Sequence, residues 1–166
     1  TRRLVEAFLS LKNQGMFGGQ LVLIGKESPF SQMLRNFVED RGISDVIFPG
    51  FLHPKGYLPD DEVEAIMSKA FLYAQPALKE GFGIPPVEAM ALGVPVAVSE
   101  IPCLKEMCLE AAIYFDPESV EDIVNQLKLV IENEELRKEL IAKGYENIKR
   151  FSWRRMAQET LNAYRC

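Results

Sequence analysis

Phe71-Leu72-Tyr73-Ala74, the segment Gln75 to Pro85, the stretch Pro86 to Leu92, and Val94-Pro95-Val96-Ala97-Val98 read in succession as strand, loop, helix and strand. Both apolar runs are short and unbroken, the pattern of strands buried on two faces in a parallel sheet. Gly93 ends the helix between them, and Pro95 marks the first turn of the second strand. Two consecutive strands joined by a helix form a right-handed crossover unit, and such units assemble into a doubly wound α/β sheet.

The same alternation extends in both directions. Upstream, Leu4, Val5, Phe8 and Leu11 repeat at helical spacing until the Gly15, Gly18, Gly19 cluster. Leu21-Val22-Leu23-Ile24 then reads as a strand buried on both faces, and a helix follows with Phe30, Met33, Leu34, Phe37 and Val38 as its apolar face. Val46-Ile47-Phe48 is the next strand. A loop from Gly50 to Gly56 leads to a helix whose inner residues are Val63, Ile66, Met67 and Ala70, with Asp60, Asp61 and Glu62 suited to its N-terminus. Downstream, a short helix at Leu104 to Leu109 precedes a last strand, Ala112-Ile113-Tyr114-Phe115. Three helical stretches finish the chain, carrying Val120, Ile123, Leu127, Val130 and Ile131, then Leu136, Leu140 and Ile141, then Met156, Thr160 and Tyr164, the last capped by Ser152. The expected fold is α/β, a doubly wound, mostly parallel Rossmann-like sheet with helices on both faces. Ligands of such sheets bind where the loops converge at the C-terminal strand ends.

Composition narrows the function. The 166 residues suit one domain, and 48% hydrophobic against 26% charged residues is enough for a packed core. A net charge of −5 argues against a general nucleic-acid or anionic-membrane binder. No apolar run approaches the length of a membrane span, and the start resembles no signal peptide, so a soluble, cytoplasmic protein is expected. Cys103, Cys108 and Cys166 have no CxxC spacing and read as idle thiols in a reducing compartment. His53, the sole histidine, sits in a loop, and any Ser-His-Asp or Cys-His system would have to run through it.

Gln75 to Met90 carries the chemistry. Gly81 and Gly83 allow close approach of a ligand to the backbone, and Pro85 and Pro86 open a helix whose free N–H groups suit an anion or a sugar's polar edge. Glu80 lies in the loop and Glu88 about one turn into the helix, so both carboxylates can face one site. The spacing alone says little: with 18 Glu in 166 residues, about two such pairs arise by chance, and two occur, the other being Glu110 with Glu118. A carboxylate near a helix N-terminus also stabilises the helix, which accounts for Glu88 without any ligand. The glycines beside Glu80 have no such account.

The run Glu80-Gly81-Phe82-Gly83-Ile84-Pro85-Pro86-Val87-Glu88-Ala89-Met90-Ala91-Leu92-Gly93-Val94-Pro95-Val96 resembles the donor-site signature of retaining glycosyltransferases of the GT-B fold, especially glycosyltransferase family 4. Leu21 to Gly25, Val46 to Phe51, the Glu62 to Ala70 helix, Ser99 to Glu106, Tyr114 to Pro117 and Phe151-Ser152-Trp153 resemble the family's C-terminal, nucleotide-binding half in order and spacing. The resemblance implies that residues 1–166 form a single donor-binding domain. It also implies that Glu80 contacts the donor hexose and is essential for transfer, while Glu88 binds the ribose hydroxyls. Amides around Gly81, Phe82, Gly83 and Ile84 would hold the sugar and diphosphate in place of a metal, so no metal or other cofactor is expected. Ser99 would lie next to the phosphates. Gly25, Lys26, Gly50 and Phe51 are candidates for the base, although a surface Lys is more often merely solvated. Ile101-Pro102-Cys103 departs from the family's small, Gly-rich turn.

Family members begin this half with a strand and an Arg-Lys-bearing turn that clamps the diphosphate. The chain starts at the following helix, so it is expected to be a fragment that lacks that strand and the N-terminal acceptor domain, and to transfer little sugar alone. The implied partners are a nucleoside diphosphate sugar, with GDP-sugar preferred over UDP-sugar because Ile84-Pro85-Pro86 resembles mannosyltransferases, and a glycan or lipid-linked acceptor. Peripheral membrane association of the full-length protein is compatible with such an acceptor, and no nucleic acid is expected. Two other readings stay open: a non-catalytic nucleotide-sugar binding or assembly module, and a GT-B nucleotide-sugar epimerase.

Overall fold

The computed structural model describes residues 1–165; Cys166, one of the three thiols, lies outside the described residues. Helices and parallel strands alternate. In chain order they are α1 (Arg2–Asn13), β1 (Leu21–Val22), α2 (Pro29–Glu39), β2 (Val46–Ile47), α3 (Pro49–Leu52), α4 (Asp60–Met67), β3 (Tyr73–Gln75) and α5 (Ile84–Ala91). After these come β4 (Val96–Ser99), α6 (Pro102–Cys108), a 3₁₀ turn (Leu109–Ala111), β5 (Ile113–Phe115), α7 (Val120–Glu132), α8 (Glu134–Ile148) and α9 (Trp153–Ala163). No described helix is long and apolar enough to cross a membrane.

The strands form two parallel sheets, β1–β2 and β3–β4–β5. β1 pairs with β2 through Leu21↔Val46 and Val22↔Ile47, and β4 pairs in register with β3 through Ala74↔Ala97 and with β5 through Ala97↔Ile113. All four residues of β4 are buried, as the unbroken apolar run requires. Successive side chains of β4 serve opposite faces. Val96 and Val98 join Met67, Ala89, Met90, Leu104 and Met107 on one face. Ala97 joins Leu4, Ala7, Leu11, Phe115, Ile123 and Leu127 on the other. Helices therefore cover both faces of β3–β4–β5, which is the expected α/β architecture.

Helix α1 spans the two sheets because its apolar stripe is two rows wide. Leu4, Ala7 and Leu11 pack into the Ala97 cluster, while Val5 and Phe8 pack with Leu34, Val38 and Val46 beside β1 and β2. Neighbouring residues on a helix are about 100° apart, so one helix can present separate rows to separate surfaces. Lys12 Nζ reaches Asp45 Oδ2 at 2.6 Å and ties the end of α1 to the turn before β2.

Several local expectations change. Leu21 to Ile24 is not buried on both faces, since Val22 is 37% and Ile24 41% exposed. Leu21 and Leu23 face the α1 side, and among the described strands β1 has β2 as its one neighbour. On α2 only Leu34 and Val38 are buried, and Phe30 and Met33 stand in solvent because a two-stranded sheet offers too little surface to cover them. The Gly50–Gly56 loop contains the single turn α3. Helix α5 starts at Ile84 and α6 at Pro102, each two residues earlier than the apolar pattern suggests, with proline in the first turn where its missing N–H costs nothing. The expected caps hold at Ser152, whose side chain accepts the Arg155 N–H, and at the acidic first turn of α4. Helix α9 forms where expected but buries none of Met156, Thr160 or Tyr164.

Leu11 is 1% exposed at the centre of the α1 contact. Leu11→Ala is expected to lower the free energy of unfolding by about 2–5 kcal/mol, read from urea denaturation followed by far-UV circular dichroism.

Candidate functional site

Strand β3 ends at Gln75 and the chain turns through Glu80 and the glycines into α5. Tyr73 and Gln75 are two residues apart and share a face of the strand. Tyr73 O–H donates to Gln75 Oε1 at 2.8 Å, and Gln75 Nε2 donates to Glu80 Oε2 at 2.8 Å. The other Glu80 oxygen, Oε1, accepts the Gly81 N–H at 2.8 Å. The Phe82 N–H also points to Oε1 at 3.5 Å, so Glu80 is held through both oxygens and Oε2, with Gln75 as its one donor, keeps a lone pair for a ligand hydroxyl. Burial first, then the charges of Glu80 and Glu88, push the Tyr73 hydroxyl far above its ordinary value. Tyr73 therefore stays a proton donor to Gln75 at any physiological pH, and both carboxylates lie within electrostatic reach of the same phenol.

Gly83 is the buried pivot of the loop, with φ +89° as the residue preceding α5. The left-handed backbone demands glycine there, and a Cβ would in addition lie 2.7 Å from Leu104 Cδ2. Gly81 differs, because a Cβ at that position would stand in open space. The N–H groups of Gly83 and Ile84 find no acceptor among the described residues, and Pro85 and Pro86 have none to offer. The start of α5 therefore carries two amides without an acceptor among the described residues, beside a fixed carboxylate. Phe82 and Ile84 are about half exposed. Ser99, fully buried at the end of β4, donates from Oγ to the Gln75 carbonyl at 3.2 Å and locks the two strand ends together. Glu88 is solvent-exposed and lines a cleft of about 290 Å³ with Asp60, Val63, Glu64 and Met67 of α4.

The remaining expected residues gather at the ends of β1 and β2. Gly50 is buried, and a Cβ on it would lie 2.5 Å from the Gly25 carbonyl oxygen, so the two loops touch through their glycines. The Glu27 N–H also donates to the Gly56 carbonyl at 3.0 Å. Lys26 places its ammonium 5.6 Å from the Tyr57 ring centre. Phe51 meets Phe48 edge-on, and the Arg35 guanidinium lies 5.1 Å from its ring centre. The candidate residues therefore form two groups, Glu80 to Ile84 with Glu88 and Ser99 on one sheet and Gly25, Lys26, Gly50 and Phe51 on the other.

His53 has another occupation. Its Nδ1 accepts the Lys55 N–H, leaving Nε2 to face Glu62 at 3.6 Å. Among the described residues no group of three or more His, Cys, Asp or Glu side chains could hold a metal ion. Sequence reasoning missed Tyr73, Gln75 and Leu104. The first two carried a signal in the polar Gln at the end of an apolar strand, two residues after a Tyr. Leu104 carried none, since its contact with Gly83 exists only in three dimensions.

Residues 2–147 match the family model of glycosyl transferases group 1. The chain is 30% identical over 164 residues to O-antigen chain mannosyltransferase B of Escherichia coli, covering 99% of this chain and 42% of that protein. It therefore spans less than half the length of that relative. Among solved structures, sucrose-phosphate synthase from Thermosynechococcus elongatus superposes with a TM-score of 0.79 at 22% identity, over 99% of this chain and 42% of the other. S. aureus TarM, in complex with fondaparinux, alpha-GlcNAc-glycerol and UDP, superposes with a TM-score of 0.78 at 20% identity, over 96% of this chain and 31% of the other. These structures share the GT-B fold.

Gly83→Ala forces an L side chain into the left-handed region against Leu104. A loss of stability of about 1–3 kcal/mol is expected from backbone strain, measured by thermal unfolding, whereas Gly81→Ala is expected to change it by less than about 1 kcal/mol.

Proposed function

The chain belongs to the group 1 glycosyl transferases, and from that premise we propose that it is the donor-binding domain of a retaining enzyme that moves a hexose from a nucleoside diphosphate sugar to a glycan or lipid-linked acceptor. The observation that carries the reading is the loop at the end of β3, where a carboxylate held through both oxygens stands beside two unpaired amides at the start of α5.

The parts have complementary tasks. Glu80 accepts hydroxyl hydrogens of the hexose, and its fixed position supplies orientation without a cost in side-chain freedom at the moment of binding. The Gly83 and Ile84 amides and the N-terminus of α5 face the diphosphate. As the bond from the sugar's anomeric carbon to the diphosphate breaks, negative charge grows on the leaving group, and oriented N–H donors stabilise it without a metal. Glu88, exposed and without a side-chain hydrogen bond among the described residues, takes the ribose hydroxyls, a charge-assisted pairing stronger than a neutral one. Gly25, Lys26, Gly50 and Phe51 receive the base. Mannose carried by GDP is the donor best supported, on the mannosyltransferase relative and the Ile84-Pro85-Pro86 turn. The acceptor is met by residues outside this chain, and the enzyme works in the cytoplasm.

Calorimetric titration with GDP, UDP and ADP tests the reading. One diphosphate, GDP by preference, is expected to bind with or without Mg²⁺, and Glu88→Ala is expected to weaken it by about tenfold or more. A folded chain that binds none of the three would falsify the proposal. In the whole protein, Glu80→Gln is expected to cut the transfer rate at least about 100-fold with nucleoside diphosphate affinity nearly unchanged, because the lost charge acts on the sugar. Equal transfer by the variant would favour a domain that binds without catalysing.

A further inference from the structure

The ring of Phe82 stands in the middle of the donor loop and is 52% exposed. Its one aromatic partner among the described residues lies far away in sequence. Phe151 meets it edge-on, with ring centres 6.4 Å apart and planes at 73°.

Phe151 is itself firmly seated. It lies three residues after the last residue of α8, and its N–H donates to the Ile148 carbonyl at 3.0 Å. Asn147, 6% exposed, donates from Nδ2 to the Met107 carbonyl of α6 at 2.8 Å. Arg150 donates to Asn147 Oδ1 at 2.8 Å and to the Glu106 carbonyl, and its guanidinium lies 5.3 Å from the Phe151 ring centre. Two side chains thus rivet the end of α8 to α6, and the third, Phe151, packs against the cluster containing Leu104 and Met107. Leu104, of that same cluster, lies against Gly83. Phe82 is therefore held by Phe151 while Gly83 is held by Leu104, and the amides between them inherit a position that loop residues alone do not determine.

We propose that Phe151 is a positioning residue for sugar transfer: through the edge of Phe82, whose N–H together with that of Gly81 holds Glu80 Oε1, it sets the carboxylate that meets the donor's sugar. This rests on the reading of that loop as the donor site.

The test compares GDP with GDP-mannose, and UDP with UDP-glucose, by calorimetry on the chain and on Phe151→Ala, Phe151→Tyr, Phe82→Ala and the Phe82→Ala/Phe151→Ala double variant. Phe151→Ala is expected to weaken the sugar nucleotide about two- to tenfold more than the matching diphosphate, the size of an aromatic edge contact. Phe151→Tyr keeps the ring edge and should bind like wild type. In the Phe82→Ala background the Phe151 substitution should add nothing, because the cycle removes the ring through which it acts. Phe82 is half exposed, so Phe82→Ala stays folded and shows the same selective loss even where Phe151→Ala does not fold. Equal weakening of both ligands, or a Phe151 effect that persists without Phe82, overturns the positioning role alone. A wild-type chain that binds neither nucleotide pair overturns the donor reading and this role with it.

Discussion

The structure depends on one helix having two apolar rows. Leu4, Ala7 and Leu11 of α1 fill the face of β3–β4–β5 that Ala97 exposes, and Val5 and Phe8 fill the face of β1–β2. No described strand hydrogen-bonds one sheet to the other, so side-chain packing joins the two, with α1 contributing to both clusters and Leu21 touching each. Complete burial of such side chains contributes about 1.5–3 kcal/mol each. The Phe17 ring supplements this from the loop after α1, meeting Phe8 edge-on and Phe71 at a tilt. Lys12 and Asp45 add orientation more than energy, since partly exposed pairs contribute little.

At the candidate site the scaffold works by removing freedom. Strand pairing sets the end of β3 against β4, and Ser99 locks it by taking the Gln75 carbonyl. Gln75 then aligns Glu80, while Gly83 turns the chain into α5 in a left-handed conformation with the Leu104 side chain against it. The result is a carboxylate and two amides whose geometry is set before any ligand arrives. Preorganised donors of this kind stabilise developing charge because they need not reorient during reaction.

Much of this was legible in the residues. Unbroken apolar runs such as Val96-Ala97-Val98 announce a buried parallel strand, and helical spacing in α1 or α7 announces a covering layer, because both signals are local. Glu80 and Glu88 were legible only through the glycines and prolines around them, their spacing being no better than chance. The exposure of Phe30, Met33 and Ile24 was not legible, because periodicity tells which face is apolar and not whether anything covers it. Nor was the exposure of α9, which forms where its spacing places it but buries no residue.

By itself, then, the sequence determined the order of strands and helices, the glycine loop entering α5 and the carboxylates beside it, since these follow from periodicity and turn chemistry within a few residues. Only the tertiary structure decided that the strands divide into two sheets bridged by α1, that Gln75 rather than a cation holds Glu80, and that Leu104 and Phe151 brace the loop from α6 and the end of α8. Those contacts join positions far apart in the chain, and whether two such surfaces meet depends on how every layer between them packs.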